Sequence, residues 1–282
     1  PSAMFSLSSA GVDLQFLVAQ ATGVMFVTWF AIYFASYPLS AAFFKKSFTS
    51  LTASQKYEWA SRVVSTVHAL IGIGFAYYTM FFEGELHNMP IPFPERMTIG
   101  VALTAATTLS YWLYDLILIV KNWKEMPDYL MVIHHLCGII PFALGSYYSE
   151  YMAFAPTIVI AETSTPFVNA RWFMYITNNT GSLIYAINGL GMWLSFLLCR
   201  IWWLPYGLQS VILNYSTWAA KYHLSVLIPV TIGTPIAYGL SCYWWVLISK
   251  GLVKTVWKMI KGDSGESKLE SNNSQAKKVK TN

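Results

Sequence analysis

Five ionisable side chains lie within long apolar runs of this chain: His68, Asp115, His134, His135 and Glu162. Such groups are costly at hydrocarbon depth and face a protein interior or a water-filled space, so each is a candidate for function. His134 and His135 are adjacent, and on a helix their side chains point about 100° apart. One imidazole can then meet a substrate while the other contacts a neighbouring helix. An imidazole serves as general base or nucleophile near neutral pH, and a carboxylate beside it fixes its tautomer and stabilises its cation. The histidine pair with Asp115 and Glu162 as orienting carboxylates therefore suits acyl transfer. Two other roles use the same residues: pairing of His with carboxylate to hold helices together, and metal ligation. The five histidines of the chain, with His87 and His223 in loops, are too few for the histidine boxes of a membrane di-iron oxygenase, and no metal is expected.

The spacing around these residues makes their convergence plausible. Ser61, Ser65, His68 and Gly72 recur at three- and four-residue steps, as do Thr104, Thr108, Tyr111 and Asp115, so each set forms one stripe on a helix. Met131, the histidine pair and Gly138 follow on a third segment. A fourth carries Glu162, Thr165 or Pro166, and Asn169. Four polar faces suit a bundle around a shared interior. At 1.5 Å per residue, the histidine pair lies roughly 8 Å from one end of the spans, Asp115 roughly 9 Å, and His68 and Glu162 roughly 14 Å. A pocket at that depth would admit a soluble headgroup at its mouth and an alkyl chain further in.

The elements that must hold these residues are membrane helices. The chain is 55% hydrophobic, 17% aromatic and only 11% charged, whereas soluble domains carry about 25% charged residues. A crossing needs roughly 20 apolar residues, and such runs occur at 14–36, 59–82, 97–120, 130–148, 152–176, 182–204 and 224–249. Seven spans are expected. The fourth and fifth are interrupted by Pro141, Pro156 and Pro166, so kinked or re-entrant helices fit there as well. The net charge of +5 is scattered through loops and a tail rather than gathered on one face, and no nucleic acid partner is expected. Cys137, Cys199 and Cys242 show no disulfide or zinc spacing.

All but three of the 18 basic residues, the exceptions being Arg96, Arg200 and Lys221, fall at alternate junctions or in the tail. The positive-inside rule then puts the C-terminus in the cytosol and the N-terminus outside. The Glu83 to Arg96 loop falls on the outer side, together with the sequon at Asn214. Lys278 and Lys280, five and three places from the end, form a dilysine-type signal for the endoplasmic reticulum. The organisation expected is an N-terminal segment with the first helix (1–49), a helical domain (50–250) and a polar basic cytosolic tail (251–282).

Taken in order, Ser65-Thr66-Val67-His68-Ala69, Tyr114-Asp115, Ile133-His134-His135 and the stretch from Glu162 to Arg171 resemble the TRAM-LAG1-CLN8 (TLC) domain family over roughly residues 50–250. The resemblance implies an all-α, multi-pass fold in which six helices enclose a lipid cavity, here with one helix preceding them. It also implies a place in the endoplasmic reticulum and a kinship with ceramide synthases, which join an acyl-CoA to a sphingoid base. Their paired histidines correspond to His134 and His135, and an aspartate of their signature to Asp115. The second aspartate of that signature is missing, since Asp115 is followed by Leu116-Ile117-Leu118-Ile119-Val120-Lys121.

Two functions fit these residues. In the first, the protein transfers an acyl group from acyl-CoA to a membrane lipid in the endoplasmic reticulum. His134, His135 and Asp115 are catalytic, and His68, Tyr111, Glu162, Asn169, Arg171, Lys121 and Lys124 support them or bind substrate. Arg171, Lys121 and Lys124 would hold the CoA phosphates, and no bound cofactor is needed. In the second, the protein binds or senses a lipid without turnover and so affects membrane composition or trafficking.

Overall fold

The computed structural model describes residues 13–83, 97–124, 127–148, 150 and 152–260. The tail beyond residue 260, most of the Glu83 to Arg96 loop and the dilysine pattern lie outside the described residues. Among those described, the chain is helical throughout. Helix α1 spans Leu14–Phe43 and is followed by a short α2 (Lys45–Thr49). Then come α3 (Ala53–Phe82), α4 (Ile99–Lys121) and α5 (Tyr129–Tyr148). The start of each long helix has a local cause. Asp13 caps α1, Thr52 and Gln55 form a capping box on α3, and Thr98 caps α4, each satisfying backbone N–H groups that the first turn leaves free.

The fifth expected span is a helix in pieces. A 3₁₀ turn at Met152–Phe154 leads into α6 (Ala155–Val159), a second 3₁₀ stretch at Ile160–Ser164, and α7 (Thr165–Ile176). Pro156 and Pro166 stand in the first turns of α6 and α7. Proline lacks an N–H and is tolerated there, so each proline restarts the helix rather than continuing the one before. Helix α8 (Leu183–Phe196) passes through a π-helical turn at Leu197–Trp202 into α9 (Trp203–Gly207). Short helices α10 (Gln209–Leu213) and α11 (Tyr215–Lys221) precede α12 (Leu224–Ile260). Between α7 and α8, Asn178 takes the left-handed conformation (φ 58°) that asparagine adopts more readily than most residues.

Six of these helical stretches are long and apolar enough to cross a membrane. The composite segment 152–176, expected as a span, is not one of these six. Gln15 donates to the Tyr147 carbonyl and the His223 N–H donates to Glu150, so α1 and α12 begin where α5 ends. At the opposite end, Tyr57 near the start of α3 donates to the Leu118 carbonyl late in α4, and Trp59 packs on Phe173 late in α7. We call this the basic end, since Lys45, Lys46, Lys56, Lys121 and Lys124 all lie there.

The outer surface is greasy, with Phe16, Val27, Leu70, Ile187, Leu190 and Ile232 all more than half exposed. That pattern suits contact with acyl chains and not with water. The broken segment lies inside, where Met152, Thr157, Val159, Glu162 and Ser164 are buried. Its polar content explains the placement, because only protein neighbours can satisfy it. Helix α1 is no appendage to the rest. Trp29 is fully buried, donates to Ser110 on α4 and meets the His68 ring edge-on.

Candidate functional site

Asp115 and His135 form the centre of the site because α4 and α5 approach closely one turn away. A Cβ added to Gly138 would lie 2.4 Å from the Trp112 ring, so only glycine admits that indole. The closeness leaves His135 Nε2 3.1 Å from Asp115 Oδ2, with both groups almost wholly buried. Ser61 on α3 donates to the other carboxylate oxygen at 3.2 Å. On its far side, His135 Nδ1 is 2.7 Å from the Met131 carbonyl. A carbonyl only accepts, so Nδ1 carries a hydrogen. Nε2 faces the carboxylate as an ion-pair contact and lies outside hydrogen-bond geometry with it.

His134 points elsewhere, as adjacent positions on a helix require. Its ring meets Trp244 of α12 edge-on at 5.4 Å, and its Nδ1 is buried without a hydrogen-bond partner. His68 is fully buried, stacked on Tyr111 at 3.9 Å between ring centres, and neither ring nitrogen has a partner. A Cβ at Gly72 would be 3.7 Å from His68 Nε2 and 4.0 Å from Thr108 Oγ1. Those two unpartnered polar atoms therefore border the same spot.

Glu162 faces a cation that sequence reasoning misplaced. Arg200 belongs to the π-helical turn and is 7% exposed, where a residue outside the membrane was expected. Its Nη2 is 3.3 Å from Glu162 Oε1, and its Nε donates to Ser164 at 2.9 Å. Thr165 donates to the second Glu162 oxygen at 2.5 Å. The guanidinium also covers the Phe196 ring. The extra residue of a π turn rotates the side chains that follow, and such turns are frequent at functional sites. Here the turn coincides with the arginine that enters the bundle. The one hint in the sequence was a charge between Cys199 and Ile201 in an otherwise apolar run.

The five intramembrane residues thus converge. His134 lies within Coulombic range of His135, Arg200, Glu162 and Asp115, and His68 within range of Glu162, Asp115 and His135. Four other predicted residues do not join them. Asn169 clasps α3 instead, with its Nδ2 near Ser65 and Thr66 and its Oδ1 accepting from Arg62. Lys121 and Lys124 are exposed at the basic end. Arg171 turns away to α8, where it lies 3.9 Å over the Tyr185 ring and donates to the Tyr185 carbonyl. Periodicity tells which residues share a face but not which helix that face meets.

A carboxylate–imidazole pair, a second imidazole with a free nitrogen and a buried ion pair, all roofed by lipid-depth helices, form a set able to move protons and hold a developing negative charge. The TLC domain (TRAM, LAG1 and CLN8) family matches residues 58–250. The chain belongs to the TLC domain family. The chain is 31% identical to TLC domain-containing protein 4-B of Danio rerio, covering 82% of this chain and 87% of that one. It is 33% identical to the Xenopus laevis protein of that name over 74% and 80% of the two chains. The human TLC domain-containing protein 4 is 28% identical over 85% and 91%. No solved structure matches. The TLC family is a membrane protein family tied to lipid metabolism, and its matched region carries Asp115, the histidine pair, Glu162 and Arg200 together.

Proposed function

We propose that the buried cluster is the place where this protein handles a membrane lipid, and that its reaction is acyl transfer from acyl-CoA to a lipid hydroxyl or amine in the endoplasmic reticulum. The observation that carries this reading is the division of labour between the two histidines. His135 has Nδ1 held by the Met131 carbonyl and Nε2 in ion-pair contact with Asp115 at 3.1 Å, outside hydrogen-bond geometry, whereas His134 keeps Nδ1 without a hydrogen-bond partner and makes no ion pair among the described residues. His134 is then the general base. It takes the proton of the attacking hydroxyl or amine as the new bond to the acyl carbon forms, and the same proton leaves with the thiolate as the thioester C–S bond breaks. Asp115 acts as the positioning residue for His135, and Arg200 balances Glu162 so that the site gains no net charge at rest. On this reading Lys121 and Lys124, exposed at the basic end, are assigned to CoA phosphates entering from that end, which is then cytosolic.

A second reading, lipid binding without turnover, is favoured by one feature. His68 is sealed between Trp29 and Tyr111, as in a site built to hold a polar group still. Incubating the purified protein with acyl-CoA and mixed membrane lipids, followed by native mass spectrometry, separates the two. Acyl transfer predicts CoA release and a newly acylated lipid, with His134→Ala lowering the rate by at least about 100-fold. Bound lipid with no CoA release in the wild-type protein overturns the enzymatic reading and leaves the binding one.

A further inference from the structure

The arginines of the bundle differ in their company. Arg62 is paired with Glu58 at 2.8 Å and Arg200 with Glu162 at 3.3 Å. Arg171 has no carboxylate partner among the described residues. Its guanidinium borders a half-open cavity of about 260 Å³ between α7, α8 and α12, lined also by Ala186, Gly189, Met192, Ile248 and Gly251. The arginine is built in rather than draped over the cavity. A Cβ at Gly189 would come within 2.5 Å of its Nη1, so α8 carries glycine where the side chain crosses. A cation in an apolar wall at membrane depth calls for an anion.

We propose that this cavity binds the headgroup phosphate of an anionic membrane lipid. Arg171 is five residues from the end of α7, roughly 8 Å along the helix, a depth from which a long arginine side chain reaches toward the headgroups. The guanidinium fork offers donors beyond the one that Tyr185 takes, in a geometry that suits phosphate oxygens. The outer faces beside the cavity are apolar, with Ile187 and Leu190 on α8 and Leu247 on α12 all exposed, a bed for acyl chains that a free phosphate would not use. Lys250 and Lys254 line a separate groove on another face of α12, so the charge to be balanced here is that of Arg171 alone, which a lipid with net negative charge neutralises and a zwitterionic headgroup, bringing its own cation, does not. The cavity is separate from the histidine cluster, so the lipid here is not the one proposed to react.

Native mass spectrometry of the full chain with added phosphatidylglycerol, phosphatidylcholine or inorganic phosphate tests this. Wild-type protein should retain phosphatidylglycerol at least about tenfold better than phosphatidylcholine, and inorganic phosphate should not displace it. Arg171→Gln should remove the preference. Gly251→Leu gives an independent check: Gly251 lines the cavity and nothing lies within 4 Å of a Cβ there, so leucine is tolerated and narrows the cavity while leaving the arginine in place. A folded Gly251→Leu protein that keeps the full preference overturns the proposal, as does displacement by inorganic phosphate, which would mark a site for a soluble anion. His134→Ala should leave the preference intact. Its loss there would place the lipid in the central site instead, whatever becomes of the acyl-transfer reading.

Discussion

A carboxylate that meets a fixed imidazole deep in a membrane protein has few other ways to be satisfied, and Asp115 shows the consequence at the scale of single residues. Asp115→Asn keeps the shape and the Ser61 contact but removes the negative charge beside His135. Catalysis, measured as CoA release per protein, should fall about 10- to 100-fold, with thermal stability less affected than in His135→Ala. Equal activity in Asp115→Asn and wild type would remove Asp115 from the mechanism. His68, Asp115, His134, His135 and Glu162 were legible in the sequence because their types are wrong for lipid depth, and wrong types demand a reason. Trp29 and Arg200 were not. Tryptophan in a membrane helix is ordinary, so nothing singled out the indole that lies against His68. Arg200 precedes Trp202 and Trp203, a neighbourhood that reads as an interfacial belt, and only the π turn carries it inward.

Helix pairs set the geometry that those residues use, and glycine governs the pair that matters most. Gly138→Ala should force α4 and α5 apart against Trp112, cost about 1–3 kcal/mol and lengthen the Asp115–His135 contact. Gly74, where nothing lies within 4 Å of an added Cβ, is the matched control. There alanine should be neutral or stabilise α3 by up to about 1 kcal/mol. Thermal unfolding in detergent distinguishes the two, and equal melting temperatures would mean that α4 and α5 are free to adjust. At this scale apolar length located six long helices, since it is a strong signal, although α1 and α12 run well past the apolar stretches expected for them and α3 begins before its own. The interior of the fifth was only half legible. Pro156 and Pro166 announced interruptions, but whether they gave kinks, a re-entrant loop or a stack of 3₁₀ and α turns depended on packing against α3, α4 and α8. The same holds for Asn169 and Arg171, whose partners, Arg62 and Tyr185, belong to helices that periodicity does not identify.

Over the whole molecule, the basic residues at one end predict a sidedness. In intact microsomes of a chain without its native cysteines, an impermeant maleimide should label Lys124→Cys and leave Asn214→Cys untouched until the membrane is opened, and the reverse result would invert the orientation. The Arg200–Glu162 contact also holds the molecule together across distant segments. Removing one partner from a buried pair leaves a bare charge and costs about 3–5 kcal/mol. Arg200→Met should therefore unfold at a markedly lower temperature, and Arg200→Met with Glu162→Gln should recover much of the loss. If the double variant melts no higher than Arg200→Met, the pair is not what ties α8 to the broken helix. That contact bears as well on how the protein is made. A lone charge at the centre of an inserting helix is disfavoured by about 2.5–3.5 kcal/mol, and here the two opposite charges are 38 positions apart. Neither the broken segment nor the stretch from α8 through the π turn is a comfortable passenger by itself, so the two are expected to enter the membrane together, as a hairpin. A chain that loses Arg200 would then be met first by the cell's quality control, as shortened half-life, before any question of its activity arose.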